Sequence, residues 1–288
     1  RGAKSHTSVS VNANEMIVLP TRALSEADAD YAVSFAIPVD TPGLKLVASG
    51  YGASVDNSFE RPISSRHRMI ETLTVFDDVF VPWERVFLAG KWEAAGLLAL
   101  TFVEFHRFTA VSYKLPLVDA LAGAAYQIAE FNGISRAGHV REKLTWLAAY
   151  AETLRALIRQ AAIGFKTQLP GIAVPDPLLT NVAKWHFAGG YHQAIKHVQD
   201  MAGGLLVTAP SSEDLENPDT AGDIERYLAG KDVSAEDRLR MLNLIQDLTV
   251  GDFGGYQQVL AVHAEGSLEA EKLAIFRSYD PKRAISYA

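Results

Sequence analysis

The sequence contains no cysteine in its 288 residues. The chain therefore cannot form a disulfide, use a thiol nucleophile, or hold a metal or an iron–sulfur cluster through thiolate ligands. Histidine is a poor alternative, because His186, His192 and His197 share one predicted helix at spacings that turn them to different sides. We expect no metal site in this chain.

Long basic runs and long apolar runs are missing as well. The net charge is -7, and no five or six consecutive Lys or Arg residues occur, which disfavours binding to nucleic acid. The most apolar stretch, "AAGLLALTFVEFHRF", is interrupted by Glu104 and His106 before it reaches the roughly 18 apolar residues that a membrane helix needs. With no secretory signal pattern either, we expect a soluble, cytoplasmic protein that contacts neither nucleic acid nor a membrane.

Two common catalytic fingerprints are also lacking. There is no G-x-S-x-G motif of the hydrolase type, and no G-x-G-x-x-G motif that follows a strand. The glycine pairs at 189–190, 203–204 and 254–255 lie inside or at the ends of predicted helices, so a dinucleotide must be held in another way. The chain opens with "RGAKSH" rather than Met, and we interpret it as the C-terminal part of a longer protein.

The first 90 residues have the pattern of β-strands. Short segments rich in Val, Ile, Phe and Thr alternate with Pro, Gly, Asp or Asn. The predicted strands are "TSVSVN", "NEMIVLP", "YAVSFAIPV", "LKLVAS" and "ETLTVFDDVFVP". Their spacing predicts a small antiparallel barrel or sandwich.

From Trp92 onward the pattern becomes helical, with long segments rich in Ala and Leu. The predicted helices cover 92–114, 117–132, 137–168, 177–202, 221–229, 234–262 and 267–278. Pro116 is expected to stop or kink the first of them, Gly203-Gly204 to end the fourth, and Ser234 to cap the sixth with Asp237 in a capping box. The predicted fold is α+β: a small antiparallel β domain, residues 1–90, followed by an antiparallel helical bundle, residues 91–288.

One helix carries an unusual polar stripe. In "EFHRFTAVSYKLP", His106, Ala110, Tyr113 and Lys114 fall on one helical face. The spacing alone leaves two interpretations open: satisfied core residues with a snorkelling lysine, or polar groups that converge on a cofactor. The glycines of "DMAGG" and "HAEGS" are equally open, since helix caps and close approach to a pyrophosphate both use glycine.

Nine segments in order resemble one superfamily of flavoproteins. They are "RGAKSH", "NEMIVLPT", "DYAVSFAIPVD", "VFDDVFVPWERVF", "FHRFTAVSYK", "IAEFNG", "DMAGGLLVTAPSSEDL", "IERYL" and "HAEGS". Together they are similar to the 4-hydroxybutyryl-CoA dehydratase and 4-hydroxyphenylacetate 3-hydroxylase superfamily over essentially the whole chain. The resemblance implies an acyl-CoA-dehydrogenase-like fold with FAD between the β domain and the bundle, and a homotetramer in which neighbouring subunits complete the flavin sites.

The resemblance also assigns residues to the flavin. It implies that the first strand faces the flavin and that the two glycine-containing loops contact FAD. The expected FAD-binding residues are Ser5, His6, Thr7, Ser8, Gly203, Gly204, Ala264, Glu265, Gly266 and Ser267. The family's N-terminal helical domain is not in this chain, and two interpretations stay open: it is a partner in the form of a separate chain, or it was removed from this one.

The stripe resembles the segment that, in the dehydratase branch, supplies a His and a Cys to a [4Fe–4S] cluster. His106 and Lys114 match that segment, whereas Tyr113 stands where the Cys would be and Ala110 where a Tyr would be. A phenol is a poor substitute for a thiolate, so the resemblance implies a remodelled site without a cluster. The family's catalytic Glu is matched by Glu71, and the expected catalytic residues are His106, Glu71, Lys114 and Tyr113.

Without a cluster there is no Lewis acid to take a departing hydroxyl group, which favours the hydroxylase branch. We therefore expect a flavin-dependent oxidoreductase, a monooxygenase that receives reduced flavin from a separate flavin reductase and hydroxylates a phenolic or related small-molecule substrate, with His106 or Glu71 as general base. Two alternatives stay open. One is an FAD-dependent acyl-CoA dehydratase or isomerase-like lyase without iron, and the other is a flavin-binding subunit of a split enzyme.

Overall fold

The computed structural model describes residues 1–50, 56–67, 69–168 and 170–288. The chain forms two compact units. One consists of Arg1–Gly52 and His67–Val103, and the other of Ala53–Arg66 and Glu104–Ala288. The first unit thus includes the start of the first long helix together with the strands. The predicted domain boundary between residues 90 and 91 stays a prediction.

The first unit contains two three-stranded antiparallel sheets. The strands are β1 (Gly2–Ser8), β2 (Glu15–Val18), β3 (Val33–Pro38), β4 (Leu44–Ala48), β5 (Glu71–Phe76) and β6 (Val86–Ala89), in the orders β1-β5-β4 and β2-β3-β6. Both sheets contribute to one small core of Val18, Ile37 and Phe76. The rings of Phe35 and Phe76 meet edge to face at 5.8 Å, which joins the two sheets.

Two strand predictions need correction. The first strand covers Gly2–Ser8 rather than 7–12, because Val9 adopts a left-handed φ of 52° and Ser10–Asn12 form a 3₁₀ turn. The predicted strand from residue 71 ends at Phe76, where Asp78 follows with a φ of 57°. The short strand β6 was not predicted, since its four residues adjoin the helical region.

The second unit is helical. Its elements, together with the helix that enters it from the first unit, are α1 (Trp92–Phe131), α2 (Gly138–Ile163), β7 (Lys166–Gln168), β8 (Ile172–Val174), α3 (Pro177–Ala202), α4 (Leu205–Thr208), α5 (Ser212–Glu216), α6 (Ala221–Leu228), α7 (Ala235–Thr249), α8 (Asp252–His263), α9 (Leu268–Ser278) and α10 (Lys282–Ile285). Fully buried side chains from α1, α2, α3 and α7 share one core, including Leu121, Leu147, Phe187 and Leu242. The α+β fold class is thereby confirmed.

Ion pairs show how the long helices run. Arg155, late in α2, binds Asp119 in the middle of α1 at 2.7 Å, while Lys143, early in α2, pairs with Asp200 near the end of α3. Helix α2 is therefore antiparallel to both neighbours. Gly190 of α3 allows this packing, because a Cβ there would lie 2.4 Å from a ring carbon of Tyr150.

The helix boundaries confirm some predictions and correct others. Helix α3 matches its predicted range, with Asp176 accepting a bond from Leu179 N and Gly203 at the C-cap. Pro116, expected to stop or kink the first helix, lies inside the continuous α1, where the burial of neighbouring Val111 and Val118 offsets the one lost backbone hydrogen bond.

Two further predicted helices end early. Helix α2 stops at Ile163, because Gly164 ends it and the unpredicted hairpin β7–β8 follows. The predicted helix 234–262 is broken into α7 and α8 at Val250 and Gly251. Ser234 caps α7 as predicted, and its hydroxyl oxygen accepts a hydrogen bond from Asp237 N. The Asp237 carboxylate accepts a hydrogen bond from the Ser234 hydroxyl rather than from the Ser234 backbone N–H of a capping box.

Helix α1 is long and apolar enough to cross a membrane by length and composition alone. Its most apolar window of 18 residues has a mean hydropathy of 1.2 with 28% of that window buried. One such helix is weak evidence, because core helices of bundles pass the same test. Here the second half of α1 packs into the bundle core.

Within the second unit, a loop segment contacts α7 through Asp247. This carboxylate is 1% exposed, and its Oδ2 accepts hydrogen bonds from Ile63 N and Ser64 N, each at 2.8 Å. We predict that Asp247→Ala lowers the free energy of unfolding by about 1–3 kcal/mol, because two buried N–H groups lose their acceptor. Urea denaturation measures it, with Asp223→Ala on exposed α6 as a control that should change little. Equal stability of the two variants would contradict the prediction.

Candidate functional site

The predicted stripe on α1 exists, and its members differ in burial. Ala110 and Lys114 are buried at 0% and 1% exposure, His106 is half-buried, and Tyr113 is 47% exposed. A fully buried lysine on a core helix is unusual because desolvation of an ammonium group is costly. The lysine therefore needs a carboxylate partner inside the unit, and the core-snorkelling interpretation is wrong for Lys114.

That partner is Glu265, in the loop between α8 and α9. Lys114 Nζ lies 2.5 Å from Glu265 Oε2, and the Tyr113 hydroxyl donates to Glu265 Oε1 at 2.7 Å. Lys184 Nζ, from α3, lies 3.8 Å from the same Oε2. The Glu265 side chain is only 3% exposed, so three donors from two helices surround a desolvated carboxylate.

Arg107 holds the loop that presents this carboxylate. Its Nε donates to the Glu265 carbonyl oxygen at 2.8 Å, and its Nη1 donates to Asn181 Oδ1 of α3 at 2.5 Å. The loop backbone is left-handed at both Glu265, with a φ of 57°, and Gly266, with a φ of 107°. The guanidinium fixes a loop conformation that is unfavourable for a residue with a side chain.

Gly266 is required by this geometry. A Cβ at that position would lie 2.5 Å from Arg107 Nη2, and the φ of 107° disfavours any L side chain. We predict that Gly266→Ala destabilises the protein by about 1–3 kcal/mol through backbone strain and displacement of the guanidinium. Thermal unfolding tests this, with Gly222→Ala as a control, because a Cβ on Gly222 meets no atom within 4 Å. The idea is abandoned if both variants melt alike.

A second buried pair lies behind Glu265. Lys184 Nζ lies 3.2 Å from Glu271 Oε1 in the first turn of α9, and both side chains are 0% exposed. Lys184 also donates to the Ala261 carbonyl oxygen at 3.3 Å. One ammonium group therefore bridges the carboxylates of the loop and of α9.

The buried cluster carries more positive than negative charge. Arg107, Lys114 and Lys184 supply three cations, and Glu265 and Glu271 supply two carboxylates. With all five ionised, one positive charge is uncompensated inside the unit. Such an excess is unfavourable unless a group loses a proton or an anion binds nearby.

The burial also changes the acidity of the site residues. Burial lowers the pKa of His106, with Glu265 opposing the effect and Lys114 adding to it. The Tyr113 pKa is raised, first by burial and then by its bond to the Glu265 carboxylate. Burial lowers the Lys114 pKa, which its Glu265 partner raises in part. A neutral imidazole and a protonated phenol are thus favoured at neutral pH.

The predicted FAD-binding residues are mostly accessible. In β1, Ser5, His6 and Ser8 are exposed at a bulge where His6 has a φ of 59°. Gly203 ends α3 with a φ of 76°, and a Cβ on it or on Gly204 would meet no atom within 4 Å.

The predicted FAD-binding residues of the α8–α9 loop differ from one another in exposure and orientation. Ser267 is exposed and caps α9 by accepting a bond from Ala270 N, and Ala264 forms the C-cap of α8. The Glu265 side chain points into its own unit, so a flavin contact from this residue would come from its backbone. Within the second unit, the structure brings Tyr113, Lys114 and Glu265 together.

Glu71 lies in β5 of the first unit, where Ser8 Oγ donates to its Oε1 at 2.8 Å. Thr7 is half-buried in the same sheet and accepts a bond from Thr74. The predicted catalytic role of Glu71 stays a prediction. It belongs to a compact unit different from that of His106.

The histidines of α3 make local contacts. His186 Nε2 lies 3.1 Å from the Tyr150 carbonyl oxygen, and His197 Nε2 lies 2.9 Å from Gln193 Nε2. Across the described ranges 1–50, 56–67, 69–168 and 170–288, no group of three or more His, Cys, Asp or Glu side chains could hold a metal ion.

Sequence reasoning missed Arg107, Asn181, Lys184 and Glu271. One signal was available for Lys184. It occupies an apolar register of α3 together with the buried residues Thr180, Phe187 and Tyr191, and a lysine in such a register requires a buried partner. Glu271 carried no comparable signal, because the α9 sequence is mixed and short.

The chain matches two profiles of one family. Residues 1–88 match "4-hydroxyphenylacetate 3-hydroxylase N terminal", and residues 95–288 match "4-hydroxyphenylacetate 3-hydroxylase C terminal". Both parts of the chain thus point to the same family.

Individual relatives agree with the profiles. The 4-hydroxybutyryl-CoA dehydratase/vinylacetyl-CoA-Delta-isomerase of Clostridium aminobutyricum is 33% identical, covering 96% of this chain and 59% of the relative. The 4-hydroxyphenylacetate 3-monooxygenase oxygenase component of Thermus thermophilus is 31% identical, covering 86% of this chain and 52% of the relative. The chain therefore spans between about half and three fifths of these curated relatives.

Solved structures show the same architecture. The oxygenase component of 4-hydroxyphenylacetate 3-monooxygenase, complexed with FAD and 4-hydroxyphenylacetate, superposes with a TM-score of 0.89 at 27% identity, covering 100% of this chain and 60% of that chain. Butyryl-CoA dehydrogenase from Megasphaera elsdenii gives a TM-score of 0.59 at 16% identity, covering 96% of this chain and 59% of that chain. The second match concerns the fold alone and confirms the predicted acyl-CoA-dehydrogenase-like class.

Proposed function

The chain belongs to the 4-hydroxyphenylacetate 3-hydroxylase family, and on that premise we propose that it is the FAD-binding part of a monooxygenase that hydroxylates a phenolic small molecule with reduced flavin and O₂. The observation that carries this proposal is the pair of family matches in a chain without a single cysteine. A cluster-dependent dehydration needs thiolate ligands that this chain does not supply.

FAD fits the accessible backbone at the end of α3. Gly203 and Gly204 leave space for close approach of a phosphate, and Ser267 adds an exposed hydroxyl group beside the loop. We propose that these residues, with Ala264, Glu265 and Gly266 through their backbone and with Ser5 to Ser8 of β1, hold the cofactor. When bound in its reduced form, FAD would supply the two electrons that activate O₂, and O₂ would supply the oxygen atom for the substrate.

The side chains of the second unit supply proton transfer and charge. Tyr113 is half-exposed and hydrogen-bonded to Glu265, so its hydroxyl can take a proton from a bound phenol while giving its own to the carboxylate. His106, with a lowered pKa, is a neutral general base at neutral pH. Lys114 stabilises the negative charge that develops, and Glu71 of β5 is a second proposed base.

The proposed partners follow from the same chemistry. We propose a small-molecule phenol as substrate and a separate flavin reductase as the source of reduced FAD. We also propose a homotetrameric state. The cytoplasm is the proposed location, since reduced flavin is produced there by reductases.

A lyase is the second candidate function. The 33% identity to the dehydratase/isomerase favours it, as does a carboxylate that could exchange a proton with an acyl-CoA. A flavin-binding subunit without a reaction of its own is a third candidate.

One experiment separates the three. The purified protein is mixed with chemically reduced FAD, air and 4-hydroxyphenylacetate, and the catechol product is measured by mass spectrometry. In parallel, vinylacetyl-CoA is supplied without O₂ and its isomerisation is followed. Catechol formation supports the monooxygenase, anaerobic isomerisation supports the lyase, and flavin binding with neither reaction supports the subunit.

A further inference from the structure

Glu271 is a buried acid to which the proposed reaction assigns no role. It lies in the first turn of α9 and is 0% exposed. Neither carboxylate oxygen has a hydrogen bond of good geometry within the described part of the chain. Lys184 Nζ approaches one of them at 3.2 Å as an ion pair. Carboxylates so deeply buried are expensive to keep ionised, so this one requires an explanation.

The charges that face Glu271 come from every neighbouring element. Helix α1 contributes Arg107 and Lys114, helix α3 contributes Lys184, and the α8–α9 loop contributes Glu265. Burial raises the Glu271 pKa, and the three cations oppose that effect only in part. Glu271 therefore takes up a proton at a higher pH than an exposed glutamate.

Four of the cluster's side chains form a series that leads from the surface to the interior. It begins at Tyr113, which is 47% exposed, and passes to Glu265 Oε1 at 2.7 Å. Glu265 Oε2 lies 3.8 Å from Lys184 Nζ, within ion-pair distance, so a proton transfer between them requires the lysine side chain to move closer. Lys184 Nζ then lies 3.2 Å from Glu271 Oε1.

We propose that Glu271 is the internal proton acceptor of this site, and that the proton of a bound phenol reaches it through Tyr113, Glu265 and Lys184. The inference rests on the proposed function, because a phenol is the ligand that loses the proton. Tyr113 is the residue that contacts the ligand, whereas Lys184 and Glu271 act through Glu265 and are positioning and storage residues.

Every proton that one group loses in this transfer is taken up by another group of the site. The phenol gives its proton to the Tyr113 oxygen while the Tyr113 proton moves to Glu265. Lys184 releases one of its own protons to Glu271, and the neutral amine that results takes up the proton from Glu265. The products are a phenolate, an ionised Glu265, an ammonium Lys184 and a protonated Glu271, with no proton lost to solvent.

The charge balance explains why this is favourable. At rest the five charged groups of the cluster carry one net positive charge. A proton on Glu271 raises that to two while the phenolate contributes one negative charge beside the cluster. The phenolate therefore forms beside a cluster whose net positive charge attracts it.

Binding of 4-nitrophenol tests the proposal, because its phenolate has its own visible absorbance. Proton release is measured by titration calorimetry in buffers of different ionisation enthalpy. We expect wild type to form phenolate and release close to no proton, and Glu271→Gln to release about one proton per ligand. Lys184→Met, which removes the bridge, should behave like Glu271→Gln. Glu269→Gln is the matched control on the same helix, exposed and paired with Lys272, and should behave like wild type.

The outcomes separate the two proposals. If 4-nitrophenol binds as phenolate and wild type releases one proton, the Glu271 inference is overturned while the proposed function stands. If no phenol binds, the proposed function fails and the inference fails with it.

A ligand-free measurement gives an independent decision. As the pH is lowered, the infrared carbonyl band of protonated Glu271 should appear at a higher pH than the bands of the exposed carboxylic acids. We expect this early band in wild type and in Glu269→Gln. It should be absent over that pH range in folded Glu271→Gln, as judged by circular dichroism. Persistence of that early band in Glu271→Gln would overturn the assignment.

Discussion

Glu265→Gln is expected to lower the free energy of unfolding by about 3–5 kcal/mol, because it removes a carboxylate from a buried cluster that already has an excess of cations. Glutamine preserves the shape of the side chain and an acceptor for the Tyr113 hydroxyl, but its amide NH2 group cannot accept the bond that Lys114 donates to Oε2, so the charge and that bond are lost together. After the change, Lys114, Lys184 and Arg107 face Glu271 alone, with two uncompensated positive charges.

Lys114→Met is the informative partner of that variant. It leaves two cations and two carboxylates, and methionine retains the apolar stem of the lysine. We therefore expect a smaller loss of about 2 kcal/mol, the value of one charge-assisted hydrogen bond. Urea denaturation at neutral pH and constant protein concentration measures both changes.

A surface pair is the control for these two variants. Glu269 and Lys272 form an ion pair at 2.6 Å with more than half of each side chain exposed. Lys272→Met should change stability by less than about 1 kcal/mol. A larger loss for Lys114→Met than for Glu265→Gln would show that the positive excess does not govern the cluster.

Tyr113→Phe is expected to lower the rate of phenol hydroxylation by about 10²–10⁴-fold, because the proton path from the ligand to Glu265 is interrupted at its first atom. The free energy of unfolding should fall by only about 1.5 kcal/mol, because the buried Glu265 carboxylate loses one hydrogen-bond donor but keeps Lys114. Flavin affinity should be unaltered. The separation of a large rate effect from a small stability effect distinguishes a catalytic phenol from a structural one.

Tyr126→Phe is the matched control, because Tyr126 lies on the same helix and has the same 47% exposure. The rate of catechol formation is measured together with the consumption of reduced FAD. Tyr113→Phe should still consume reduced FAD in air and form little catechol. If both variants hydroxylate at the wild-type rate, Tyr113 is not on the proton path.

Much of the architecture could be predicted from local patterns. The bounds of α3 and its C-cap at Gly203 agree with the sequence prediction, because a long helical segment with a strong stop signal has one stable arrangement. The prediction at Pro116 was wrong, because the loss of helix stability caused by an interior proline is limited and the burial of neighbouring residues offsets it. The hairpin β7–β8 has strands of three residues each, too short to leave a period in the sequence.

The site was only partly predictable for a similar reason. The stripe on α1 was visible because its members are close in sequence and helical geometry puts them on one face. Glu265 was assigned to the flavin, whereas its side chain binds Lys114 and Tyr113, about 150 residues earlier in the chain. Nothing local in "HAEGS" indicates which way that carboxylate points.

Composition and local spacing by themselves determined what this protein excludes and which helix carries its polar stripe. The absence of cysteine means that this chain supplies no thiolate ligand, and the order of short motifs indicated the family. The tertiary structure alone decided that Lys184 and Glu271 belong to the site and that three cations share two carboxylates there. The reason is that the desolvation cost of a buried charge is offset only when oppositely charged groups from distant segments lie beside it. Which groups lie together depends on how the helices pack.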